Sequence, residues 1–170
     1  ATLVHHHEVT YALALPPGSK WQGGISWLLR MHQIIVAALE QLGLTGRMML
    51  VQEKPVNHGD TLCFQQFTIG DVLCAGRKVV GSAQRKYRKA LMQHGSILLA
   101  QSEHTPNLPG IRELAGVELE ASDVIAAITQ AFAYQTGWMI EPGNLTDDEK
   151  HLIEELRATR YQTVAWNERR

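Results

Sequence analysis

Three glycines, Gly76, Gly81 and Gly95, punctuate a stretch otherwise built of strand-forming residues. Glycine inside a strand weakens it, so it needs a reason: a bulge, or backbone that something approaches closely. Residues 71–74 and 78–84 read as two strands joined at Ala75-Gly76, a hairpin. Residues 91–100 form a further strand, interrupted by Gly95. Strand alternation puts Lys78 and Val80 on one face and Arg77 and Val79 on the other, so one of the two basic residues is expected to face inward. An inward lysine is rarely filler. It can hold a carbonyl or phosphate oxygen as a point charge. A solvated lysine guarding a strand edge fits the spacing equally well.

The flanking sequence surrounds this hairpin with helices. Residues 8–15 (EVTYALAL) alternate as a strand and stop at Pro16-Pro17-Gly18. From residue 21 to 42, Ile25, Leu28, Leu29, His32, Ile35, Val36, Leu39 and Leu42 fall at helical spacing, and Gly43 ends the run. Residues 47–52 suggest a short strand, followed by a polar loop over 53–60; residues 101–116 read as a second loop. Ser122 and Asp123 are expected to cap a helix that runs to Thr136 and ends at Gly137. Thr146-Asp147-Asp148-Glu149 is a capping box that opens a last helix through about Arg160. The order predicts an α+β fold, a mixed or antiparallel sheet packed with helices, in one domain spanning 1–170.

Charge and cysteine usage narrow the function. With 16 basic and 17 acidic residues the formal net charge is -1, so no global field favours nucleic acid or an anionic membrane. No apolar run approaches the roughly 18 residues a bilayer span needs. Two cysteines, Cys63 and Cys74, make no disulfide framework and fit a reducing compartment, the cytoplasm. His5-His6-His7 invites a metal reading. In a strand only His5 and His7 would share a face, and Glu8 would point away from both, so no metal site is expected. Residues 85–89 (RKYRK) are a basic cluster, either a solvated hairpin end or a docking patch for an acidic partner.

GRKVVGSAQR over residues 76–85, QHGSIL over 93–98 and HHHEVTY over 5–11 together resemble the lipoate–protein ligase and octanoyltransferase family, within the biotin/lipoate protein ligase superfamily. The C-terminal stretch from Leu145 to Asn167 is similar to that family's last helix and tail. The resemblance implies the fold of the biotin/lipoate ligase catalytic domain. It implies that Lys78 sits beside the acyl carbonyl, and that Arg77, Gly81, Ser82, His94, Gly95 and His5 contribute to substrate binding.

Within the family, Leu62-Cys63-Phe64 ahead of Gly-Arg-Lys resembles a cysteine-dependent transferase branch. There Cys63 would take an octanoyl group from acyl carrier protein as a thioester and pass it to a lysine of a lipoyl domain or glycine cleavage H protein. A thioester exchanged for a thioester needs no ATP, so this route requires no cofactor. A buried small hydrophobe is the alternative fate of Cys63. An ATP-dependent lipoate–protein ligase, using ATP and Mg, and a non-catalytic module that binds carrier proteins or ligand are the other readings. Acidic carriers would suit the basic cluster at 85–89. Aligned with the family, the chain starts at or just past an Arg-Arg-x-x-Gly-Gly-Gly-like loop. It is therefore expected to lack the family's N-terminal segment and to leave a sheet edge unpaired and one pocket wall open.

Overall fold

The computed structural model describes residues 5–18, 22–23, 26–52 and 64–168. The chain resolves into two compact units, Ala1–Trp138 and Met139–Arg170.

In the first unit five strands form one antiparallel sheet: β1 (Glu8–Leu15), β2 (Met48–Leu50), β3 (Val72–Cys74), β4 (Arg77–Tyr87) and β5 (Ala90–Leu98), in the order β1-β5-β4-β3-β2. Alternation along β1 and β5 places Val9, Ile97 and Val80 side by side in register. All three are buried against helix α1 (Trp27–Leu39), whose Ile34 and Ile35 lie on the same core. The helix is shorter than the periodicity predicts. It relaxes through a wide turn over Glu40–Leu44, where Gly43 takes φ 94.

The loop expected over 101–116 carries a short helix, α2 (Ile111–Ala115). Its entry, Gly110, lies so close to Ala100 that a Cβ there would sit 2.5 Å from the Ala100 Cα. Helix α3 (Ala121–Thr136) ends at Gly137 in the left-handed conformation, as predicted, but Glu120 rather than Ser122 or Asp123 holds its N-cap position. Trp27, Phe132 and Trp138 stack between α1 and α3, with centroids 5.5–6.2 Å apart.

The β4–β5 hairpin turns on Arg88 and Lys89, both with positive φ (47 and 68). That is the left-handed pair a two-residue hairpin requires, made here without glycine or asparagine. The cluster at 85–89 is thus the hairpin tip, and its residues are exposed.

The second unit holds α4 (Asp147–Leu156) and α5 (Val164–Asn167). The capping box forms: the Thr146 hydroxyl accepts from Glu149 N–H at 3.3 Å, and the Glu149 carboxylate accepts from Thr146 N–H at 2.7 Å. Among the described residues, no helix is long and apolar enough to cross a membrane.

Candidate active site

The lysine's position follows from a bulge. Val72 pairs with Val80 but Leu73 pairs with Lys78, so β4 carries one extra residue against β3. A bulge of this kind re-aims the side chains before it. Val79 and Val80 are therefore both buried in the core, and strict alternation fails at Lys78. The lysine crosses instead over Gly81, where a Cβ would lie 2.8 Å from its Nζ. Gly81 is glycine because the lysine occupies the space a side chain would take.

Lys78 ends in an ion pair with Asp71. Nζ lies 2.7 Å from Asp71 Oδ2, and the two side chains are 9% and 2% exposed. The same carboxylate oxygen accepts from Thr68 N–H at 2.7 Å and from the Thr68 hydroxyl at 3.1 Å. Lys78 also donates to the Gln66 carbonyl at 3.2 Å, and its ammonium stands 5.3 Å from the Phe64 ring centroid. An ammonium has three N–H groups. Among the described residues two of them meet protein acceptors, Asp71 and the Gln66 carbonyl.

Lys78 lies on the wall of a cavity of about 380 Å³. Gly81, Ser96, Ala83 and His94 line its floor and are neighbours in register across β4 and β5. They belong to the sheet face opposite Val80 and Ile97, so the cavity opens on the side away from α1. Among the described residues, Phe64, Gln66, Thr68 and His5 also line it.

Of the residues singled out in the sequence, His5, Lys78, Gly81, Ser82, His94 and Gly95 surround this one cavity. Arg77 is not brought to it: the side chain is exposed and donates to the Asn107 carbonyl at 2.8 Å. Cys63 lies outside the described residues. Cys74 is buried in β3; burial pushes its thiol up, against a smaller pull from the Arg47 charge, and it packs in the core.

Ser82 and Gly95 serve the opposite side of the sheet. The Ser82 hydroxyl bonds the Tyr11 phenol and lies 2.5 Å from His32 Nε2. The Tyr11 ring reaches it across Gly95, where a Cβ would meet the ring at 2.8 Å and the Gly81 carbonyl at 2.6 Å. His32 is fully buried, and its Nδ1 lies 2.5 Å from the Gly70 carbonyl. A carbonyl only accepts, so Nδ1 carries the proton and Nε2 accepts from Ser82. Direction then propagates along the chain of bonds. Ser82 accepts from Tyr11, Tyr11 from Gln93 at 2.9 Å, and Gln93 from Gln84 at 2.8 Å. Burial pushes the Tyr11 phenol up and the His32 imidazole below its ordinary 6.5. The chain ends on Gly70, the residue before Asp71.

His5, which also lines the cavity, pairs with Glu8. The strand begins at Glu8, so the three histidines precede it and alternation does not govern them. Glu8 therefore does not point away from His5. His6 turns elsewhere, bonding the Ser102 hydroxyl at 3.0 Å. Among the described residues, no group of three or more His, Cys, Asp and Glu is placed to hold a metal. Residue spacing carries no signal for Asp71, Thr68 or Gln66, because their partners are set by the bulge and by loop closure.

Residues 1–102 match the model of the biotin/lipoate A/B protein ligase family. Octanoyltransferase LipM of Kyrpidia tusciae is 29% identical over 99% of this chain and 71% of its own length. The Moorella thermoacetica octanoyltransferase LipM is 30% identical over 99% and 70%. Among solved structures, the T. acidophilum protein Ta0514, assigned as a lipoate protein ligase and solved with bound lipoic acid, superposes with a TM-score of 0.71 at 17% identity. That superposition covers 95% of this chain and 64% of that one. The Aquifex aeolicus biotin protein ligase in complex with biotin and ATP gives 0.59 at 14% identity, over 80% and 53%. These two likenesses show the fold, and this chain spans less than two thirds of either structure. By the family model and the relatives together, the chain belongs to the biotin/lipoate A/B protein ligase family, among its octanoyltransferase enzymes.

Proposed function

We propose that this chain transfers an octanoyl group from acyl carrier protein to a lysine of a lipoyl domain or glycine cleavage H protein, through an acyl-thioester on Cys63. The observation that carries this reading is the buried Lys78 ammonium on the wall of the cavity, held there by Asp71. Phe64, bonded in sequence to Cys63, lies on the same rim.

The chemistry follows from those groups. The Cys63 thiolate attacks the carrier's thioester carbonyl. Negative charge develops on the carbonyl oxygen, and Lys78 stabilises it as a fixed cation in a partly desolvated site. Asp71 holds that cation in place. The carrier thiolate leaves, and the acyl group rests on Cys63 at similar energy. The acceptor amine then takes the acyl group as an amide and releases the cysteine. Gly81 leaves the room through which Lys78 reaches the cavity.

A lipoate-protein ligase A bound with ATP shares the fold, with a TM-score of 0.69. An ATP-dependent ligase is therefore the second reading. It would need ATP and Mg, would use Lys78 in the same place, and would tolerate Cys63→Ser.

Incubation of the chain with octanoyl carrier protein and a lipoyl domain, without ATP, separates the readings. The transferase reading expects a mass gain of one octanoyl group on the lipoyl domain, lost in Cys63→Ser. Transfer that depends on ATP and octanoate, and survives Cys63→Ser, would replace it with the ligase.

A further inference from the structure

The register carries the cavity's face of the sheet on toward the hairpin tip. Pairs two positions apart share a face. Gly81–Ser96 and Ala83–His94 line the cavity, and Arg85–Met92 and Tyr87–Ala90 follow them on the same side. Ala12 and Ala14 of β1 stand opposite His94 and Met92 and widen that face. Ala12, Ala14 and Ala83 are exposed, so a track of small side chains runs from the cavity to the tip. From Gly81 to Arg85 it covers ~14 Å, at the ~3.4 Å rise per residue of an antiparallel strand.

The far end of the track combines apolar surface with charge. Tyr87 and Met92 are 64% and 51% exposed. They line a hollow of about 390 Å³ together with Ala14, Pro16, Leu91 and Arg85. Lys86, Arg88 and Lys89 complete the cationic tip. Among the described residues, none of these four basic side chains has an ion-pair partner. The formal net charge of the whole chain is -1, so the tip is a local positive end on a chain otherwise acidic in balance. Arg88 and Lys89 hold left-handed backbone that Asn-Gly would adopt with less strain, so turn geometry does not account for their presence. Exposed apolar side chains beside unpaired cations complement a protein surface that is acidic around an apolar centre. A nucleic-acid backbone would answer the cations alone.

The length of the track selects between the two protein partners of the transfer. An acceptor lysine has a four-carbon stem, too short to reach the cavity from the tip. The pantetheine arm of a carrier protein is long enough, and it is rooted in a phosphate that a basic tip attracts.

We propose that the β4–β5 hairpin tip docks the acyl carrier protein by its acidic surface, with the pantetheine arm lying along the track past Ala83 to the Lys78 cavity; this rests on the carrier-dependent transfer reading above. The acceptor domain does not use the tip.

The test measures the Kd of octanoyl carrier protein and, separately, of a lipoyl domain, at low and at higher salt. The full chain is compared as wild type, as Arg85→Glu with Lys86→Glu, and as Arg88→Asn with Lys89→Gly. The second variant removes two charges while easing the turn, so it keeps the test open should the first fail to fold. Charge reversal is expected to weaken carrier binding by about 10-fold or more, and the second variant by less. Added salt weakens carrier binding in wild type, and the lipoyl domain binds all three chains equally. Carrier binding unchanged in both variants, or lipoyl-domain binding weakened to the same extent, overturns the proposal. A short DNA duplex that displaces the carrier from wild type at equal concentration also overturns it, in favour of a nucleic-acid surface. Octanoyl transfer from the carrier that persists at the wild-type rate in both variants overturns the docking site and leaves the transfer reading standing. A wild type that neither binds nor uses the carrier removes both.

Discussion

Lys78 and Asp71 meet at 2.7 Å with both side chains nearly removed from water. Seven positions apart in sequence, they are joined because the bulge in β4 turns the lysine across Gly81 toward the end of β3. A buried pair is weak as a source of stability but costly to break. Asp71→Asn leaves an uncompensated ammonium and is expected to lose about 3–5 kcal/mol, with transfer abolished. Asp71→Leu combined with Lys78→Met removes both charges and should regain most of that stability with no activity. Urea unfolding of the single and double variants checks this; a double variant less stable than Asp71→Asn would contradict it.

Gly81 and Gly95 predict opposite phenotypes. A Cβ at Gly81 meets the flexible end of Lys78, so the lysine can yield. Gly81→Ala should unfold within about 1 kcal/mol of wild type, as a tolerated core change does, yet transfer poorly because its cation has moved. A Cβ at Gly95 meets the Gly81 carbonyl at 2.6 Å and the Ser82 hydroxyl at 2.5 Å. Backbone cannot give way as a lysine can, and Gly95→Ala should cost about 1–3 kcal/mol. Thermal unfolding beside transfer rates separates the two; equal stability losses would show that Lys78 does not fill the space over Gly81.

His32 makes stability depend on pH. Burial holds its imidazole below the ordinary 6.5, and the Gly70 carbonyl and the Asp71 charge only partly offset this. In the unfolded chain it titrates near 6.5. Between the lowered folded value and that one, the unfolded state binds more protons, so stability rises with pH. The contribution is complete above about pH 7.5 and declines as pH falls through 6.5 toward the folded value. Urea midpoints from pH 8 to 5 should fall in wild type and fall less in His32→Gln. Parallel profiles would mean that His32 is not the group responsible.

Much of the scaffold is legible because its signals are local. The Ala75-Gly76 turn, the left-handed Gly137 and the Thr146 capping box each specify a backbone conformation through adjacent residues. His32 reads as part of the apolar stripe, and it is buried. The rest depends on distant partners. Nothing local marks the extra residue in β4, so the lysine's direction is visible only once β3 is paired. The Ser82 hydroxyl belongs to the motif at the cavity, yet it bonds Tyr11 and His32 on the far face. The β4–β5 turn is hidden for another reason: Arg88 and Lys89 are not turn formers.

That turn offers a direct check. A non-glycine residue in the left-handed region carries a cost of about 1–2 kcal/mol. Replacing Arg88-Lys89 with Asn-Gly should stabilise the chain by about 1 kcal/mol. An unchanged or lower melting temperature would show that these two residues make compensating contacts.

Intact-protein mass reads an acyl-thioester on Cys63 without recourse to rates. The chain is mixed with octanoyl carrier protein without ATP, as wild type and as Cys63→Ala. Wild type is expected to carry one octanoyl adduct, removed by hydroxylamine, and Cys63→Ala none. A folded wild type with no adduct, or an adduct of equal yield on Cys63→Ala, would contradict it.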